Sequence, residues 1–163
     1  MPLLSRHRRI VGNDKPGHRT AGPDRVQIYK HFIDSGSAPT TAEIAVALNH
    51  DAGDVERAIV DLADAHTIVL APGSRSIWMA HPFSAVPTLY PVVSGGTSYW
   101  ANCAWDAFGI AAMLGRDTQC VARCPECSQR MDLSVKRGAV SVVTGLVHFV
   151  VPPRHFWDNV AFT

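Results

Sequence analysis

Long apolar runs are what this sequence most plainly lacks. No stretch approaches the ~18–20 consecutive apolar residues of a membrane span. The opening MPLLSRHRRIVGNDKPGHRTAGPD is basic and contains no apolar core of signal-peptide length. Neither a membrane helix nor a secretion signal is expected, and the expected setting is the cytoplasm. An excess of one charge is missing too. Fifteen Lys and Arg face 14 Asp and Glu, for a net charge of +1. No global field then draws the chain to nucleic acid or to a membrane, and any basic patch must be local. Internal repeats are absent. Cysteine is scarce but clustered: the four lie at 103, 120, 124 and 127. In a reducing compartment such thiols point to metal or catalysis more than to disulfides.

What is present suffices for a core, with 47% hydrophobic residues in a chain of 163. Residues 1–22 read as a flexible basic tail, with an arm that touches nucleic acid as the other reading. Residues 23–81 carry the pattern of a winged-helix-like module. DRVQIYKHFIDSG places Val26, Tyr29 and Ile33 at helical spacing with Phe32 on the flank, and Gly36 as a stop. Thr40 with Glu43 three residues on is a capping-box signature. Asp51 caps a third helix bearing Val55, Ala58, Ile59 and Leu62. Ile68–Leu70 and Ile77–Met79 predict two short strands around a Pro-Gly-Ser turn. The third helix opens DAGDVERA, with Asp51, Asp54 and Glu56 against Arg57. A recognition helix meets phosphates with its N-terminal part, so this acidic start argues against DNA binding and for a structural or dimerising role.

Residues 82–98, rich in proline and ending near Gly95–Gly96, read as a linker to a second domain over 99–163. There one helix is expected, with Asn102 as N-cap, Cys103 at its first position, Ala104 to Leu114 continuing it and Gly115 as stop. Strands are expected at Gln119–Ala122, Met131–Val135, Val140–Val143 and Leu146–Val151. The fold class is therefore α+β: a three-helix winged-helix-like module, then a small mixed domain with a short antiparallel sheet and one buried helix.

Within that helix Cys103 falls at the first helical position and Asp106 one turn later on the same face. Unpaired N–H groups and the helix dipole favour an anion there and predict a lowered thiol pKa. A thiolate beside a carboxylate can bind a soft metal and handle a proton. The same residues also suit a plain reading, a small core cysteine and a first-turn charge.

From Tyr99 onward the chain resembles the alkylmercury (organomercurial) lyase family. The resemblance rests on YWANCAWDAFGIAAMLGRD with its Cys-Ala-x-Asp core, on Cys124 lying 21 residues after Cys103, and on the final VVPPRHFWDNVAFT. The winged-helix-like front half fits the same family, extending the likeness to 24–163. The resemblance implies that Cys103 binds mercury and Asp106 manages the proton given to the leaving carbon. The products would be a hydrocarbon and mercuric ion, with free thiols as co-reactants and no required cofactor. Tyr99, Trp100, Trp105 and Phe108 are the expected substrate pocket. The family's second active-site cysteine is expected just after a segment like WDNVAFT, and the sequence stops at Thr163. A replacement thiolate would then come from Cys120, Cys124 or Cys127, and an uncovered C-terminal sheet edge would favour a homodimer. A thiol-based metal-sensing regulator with a DNA- or partner-binding module is the alternative.

CPEC at 124–127 is half of a zinc ribbon, and the second pair is missing. Structural zinc at Cys124 and Cys127, helped by Cys120 with His148 or His155, stands beside free structural thiols and an auxiliary mercury site. Trp105, Phe108, Phe156 and Trp157 are expected to pack around the site and exclude water.

Overall fold

The computed structural model describes residues 21–141, 146–149 and 151–160. The expected tail at 1–22 lies almost wholly outside them. Helix α1 spans Gly22–Ser35, with Pro23 in its first turn. Its buried stripe is Asp24, Ile28 and Phe32, one residue per turn. This corrects the expected face: Val26 is 67% exposed, while Tyr29 and Ile33 are only partly buried at its flank. Helix α2, Thr41–Leu48, starts with the full capping box of Thr40 and Glu43. Helix α3, Ala52–Asp64, is capped by the Asp51 carboxylate, which accepts from the Gly53 N–H, and buries Val55, Ala58, Ile59 and Leu62.

Strands β1 (Val69–Leu70) and β2 (Ile77–Ala80) form the expected antiparallel hairpin. It is not a free wing. β2 also pairs with β3 (Phe83–Ser84), which pairs with β5 (Thr97–Ala101), which pairs with β4 (Tyr90–Ser94). The stretch 82–98, expected as a linker, is thus largely strand. Its prolines sit at turns and strand ends, where a missing N–H costs little. Beyond β4 come β6 (Gln119–Arg123) and β7 (Arg130–Asp132), giving one seven-stranded antiparallel sheet. β8 (Val135–Lys136) and β9 (Ala139–Val140) make a separate small hairpin. The expected strand at Met131–Val135 is therefore broken, because Leu133 and Ser134 turn inward between β7 and β8. Residues 146–149, expected as strand, are irregular, and a 3₁₀ helix covers Pro153–Asp158.

Helix α4, Ala104–Leu114, lies on β4 and β5 and ends at Gly115 in the left-handed conformation. The three-helix module docks on the same sheet. Phe32 stacks on Phe83 with ring centroids 5.2 Å apart, and Phe83 meets Tyr99 at 5.7 Å. The Tyr99 hydroxyl donates to the Ile33 carbonyl at 2.8 Å, and Tyr29 to the His81 carbonyl at 3.0 Å. Gly36 closes the contact: a Cβ there would lie 2.0 Å from the Ser98 carbonyl oxygen, and its φ is +75°. One hydrophobic core runs from Ile28 through Phe83 to Leu133.

Candidate active site at the start of helix α4

The sheet delivers the chain to the site. β5 ends at Ala101, Asn102 turns, and Cys103 is the N-cap of α4 with extended backbone, φ −148° and ψ −179°. This moves the cap one residue on from the expected Asn102 and places Cys103 outside the first turn. Asp106 is then the third helical residue. No close side-chain capping hydrogen bond forms. The N–H groups of Trp105 and Asp106 are nonetheless near enough to favour the Cys103 thiolate.

They do not win. Burial pushes the Cys103 thiol pKa up, the Asp106 carboxylate beside it pushes further, and the helix N–H groups only partly offset both. The expected depression of this pKa is therefore reversed. A half-buried sulfur loses hydration that two amide dipoles do not replace, and a neighbouring anion disfavours a second negative charge. At neutral pH the group is a thiol, with the Asp106 carboxylate close beside it.

Asp106 has another partner that the sequence did not mark. His81, in the turn between β2 and β3, places Nδ1 3.3 Å from Asp106 Oδ2. The Asn102 side-chain nitrogen lies 3.2 Å from the same Nδ1 and 3.2 Å from the Phe83 carbonyl. A ring nitrogen serves one of these neighbours at a time: it accepts from Asn102, or it carries a proton and donates to Asp106. The Phe83 carbonyl holds the Asn102 amide in either case. Nothing in the spacing of His81 and Asp106 signals this contact, since it depends on how β2, β3 and β5 pair. Gly109 enables it from below. A Cβ on Gly109 would sit 3.1 Å from Pro82 Cβ, so a larger residue would push α4 and the chain after His81 apart by a few tenths of an ångström.

These groups open into a cavity of about 440 Å³. Cys103, Asp106, His81 and Asn102 form its polar side, and Tyr90 and Met79 its floor. Trp105, Phe149, Phe156 and Trp157 supply an aromatic wall. Trp105 and Phe149 meet edge to face at 5.9 Å, and Trp157 stacks on His66 at 4.3 Å. Of the expected pocket residues, only Trp105 lines this cavity among the described residues. Tyr99 points into the core toward α1, and Trp100 alternates away from it on β5. Phe108 faces a different cavity with Arg116 and Val140, on the far side of α4. Period-2 alternation in β5 and helical rotation in α4 turn these aromatics away. Phe156 and Trp157 are present as expected.

None of the other cysteines lines the cavity. Cys120 is buried on the core face of β6, and burial pushes its pKa up to about 11, with Asp132 adding to the shift. Cys124 and Cys127 sit on the β6–β7 turn, where the Ser128 N–H donates to the Cys124 carbonyl at 2.8 Å. The Cys124 thiol pKa is lowered, chiefly by the N–H groups of Cys127 and Glu126 and by the Cys127 thiol. Cys124 and Cys103 both lie near enough to the Tyr90 hydroxyl to raise its pKa, although burial is the larger cause. Among the described residues no group of three or more His, Cys, Asp or Glu side chains converges to hold a metal. His148 is exposed, and His155 pairs with Asp158 at 2.8 Å. The four-ligand zinc arrangement weighed above is therefore not assembled among them.

A cap-position thiol, a first-turn carboxylate and an aromatic cavity in a mixed α+β fold together make up a thiol–carboxylate site. Residues 83–163 match the family model described as alkylmercury lyase, and this part of the chain belongs to that family. The fold resembles a crystal structure titled as the mercury-bound form of MerB2, with a TM-score of 0.60 at 22% identity. The likeness covers 74% of this chain and 60% of that one, so the chain spans less than two thirds of that structure's length. No curated protein sequence matches the chain. No helix among the described residues is long and apolar enough to cross a membrane.

Proposed function

We propose that this chain is an organomercurial lyase-like protein that cleaves a carbon–mercury bond by protonolysis. The carrying observation is the Cys103 thiol paired with the Asp106 carboxylate at the mouth of α4, facing an aromatic cavity. A soft thiolate suits a soft metal. In the first step the Cys103 sulfur bonds to mercury of R–Hg–X, X leaves, and the S–H proton passes to Asp106. In the second step Asp106 gives that proton to the carbon as the C–Hg bond breaks. The carbon leaves as R–H, and mercury stays on the Cys103 sulfur. A free thiol from solution supplies the second sulfur ligand and removes the ion. The raised thiol pKa serves this scheme, because the proton needed in the second step is already stored on the pair. His81, at hydrogen-bond distance from Asp106, orients the carboxylate.

The test is hydrocarbon release from methylmercury or phenylmercury in excess free thiol. Cys103→Ala and Asp106→Asn should each abolish release. His81→Gln should slow turnover by about 10- to 100-fold, the usual cost of losing a partner one step from the reacting groups, and shift its pH profile while KM stays near its original value. Release that survives Cys103→Ala would sink the proposal. A change in KM alone on His81→Gln would make that residue part of the cavity wall and not a positioning group.

A further inference from the structure

The Cys124–Cys127 turn lies outside the cavity and takes no part in the scheme above. The two thiols are free, Cys127 is exposed and Cys124 partly so. Both ride on a short hairpin loop closed by two backbone hydrogen bonds, Cys124 N–H to Gln129 carbonyl at 2.9 Å and Ser128 N–H to Cys124 carbonyl at 2.8 Å. Arg123 donates to the Ser128 carbonyl at 3.1 Å and ties the loop to its strand. Ser128 sits at φ +59°, the left-handed residue that lets the loop turn back. The Cys127 thiol and the N–H groups of Cys127 and Glu126 lie close enough to the Cys124 sulfur to lower its pKa. Holding two thiols together on one turn removes most of the entropy that a second ligand would otherwise lose on binding.

The number of ligands selects the metal. A structural zinc site takes four ligands, and among the described residues no third His, Cys, Asp or Glu joins this pair. A soft cation content with two thiolates needs nothing more. We propose that Cys124 and Cys127 form a bidentate acceptor site for a two-coordinate soft cation of the Hg²⁺ class. That the cation is mercuric ion leaving the cavity, in place of another soft metal, rests on the function proposed above. Loading replaces the two S–H protons with two S–Hg bonds and releases both protons to solvent, with no redox change.

The test uses the full reduced chain carrying Cys103→Ser, which removes the cavity thiol. Mercuric chloride is titrated in the presence of excess glutathione, and retained metal is read by native mass spectrometry and by sulfur-to-mercury charge-transfer absorption. One Hg²⁺ per chain should be retained. Adding Cys124→Ser or Cys127→Ser should each weaken retention by about 10²-fold or more, the advantage of a tethered second ligand. Adding Cys120→Ser should change nothing. Far-ultraviolet circular dichroism checks that each variant is folded. Equal retention by the Cys103→Ser protein and its Cys127→Ser derivative would overturn the proposal, and so would one ion shared between two chains. Lyase activity does not enter this readout, so a failed lyase test leaves the dithiol result standing and the reverse also holds.

Discussion

Cys103 and Cys120 show how one residue type takes its chemistry from its surroundings. Both thiol pKa values are raised mainly by burial, with a carboxylate adding to each, but Cys103 keeps an open side to a cavity, whereas Cys120 is fully buried. Cys120 therefore acts on stability. Its folded pKa of about 11 lies above the ordinary thiol value of 9.0. The folded state holds this proton more tightly, so between pH 9 and 11 the unfolded chain binds fewer protons. Stability from this group is full below the lower value and falls as pH rises through the upper one. The loss is on the order of 2 to 3 kcal/mol. Urea midpoints measured at pH 8 and pH 11 should fall further for the native chain than for Cys120→Val. Equal falls would show that ionisation of Cys120 carries no cost.

At the scale of elements, the site depends on how closely α4 rides over the chain at Pro82. Gly109 is a weak point in the helix, and alanine there would recover about 1 kcal/mol of helix propensity. The added methyl would meet Pro82 Cβ at 3.1 Å, tight enough that the helix or the turn must shift by a few tenths of an ångström. Pro82 follows His81, so that shift reaches the 3.3 Å contact between His81 and Asp106. Gly109→Ala should leave the melting temperature nearly unchanged and lower hydrocarbon release by about 10-fold, since small misplacements at a site cost more in rate than in stability. Equal losses in both would mean that the glycine serves packing alone. At the other end of the helix, the left-handed Gly115 only stops the chain, and a Cβ there meets nothing within 4 Å.

At the scale of the whole molecule, the three-helix module and the sheet share one core. Ile28 and Phe32 of α1 pack with Phe83 and Tyr99 of the sheet, and backbone meets backbone at Gly36 and Ser98. The cavity is closed in the same way, since His66 after α3 stacks on Trp157 of the 3₁₀ helix. Such a core should unfold as a unit. Tryptophan fluorescence and far-ultraviolet circular dichroism should give coincident urea transitions. Two separated transitions would mean that the module and the sheet are independent.

The local elements were legible because their causes are local. Thr40 and Glu43 cap α2, Asp51 caps α3, and Gly115 ends α4, each through contacts within a few residues. The pairing of Cys103 with Asp106 was legible for the same reason, being one turn of one helix. What the sequence by itself determined is therefore the helices, the hairpin and the thiol–carboxylate pair. Only the tertiary structure decided the rest. Strand pairing across β2, β3 and β5 brought His81 to Asp106, turned residues 82–98 from an expected linker into sheet, and faced Tyr99 into the core, while the packing of α4 on the sheet faced Phe108 away from the cavity. Burial, a property of the whole packed molecule, set the Cys103 pKa against the pull of its own helix. A helix terminus acts over one turn and can be read from a few residues, whereas desolvation is the sum of everything packed around the atom.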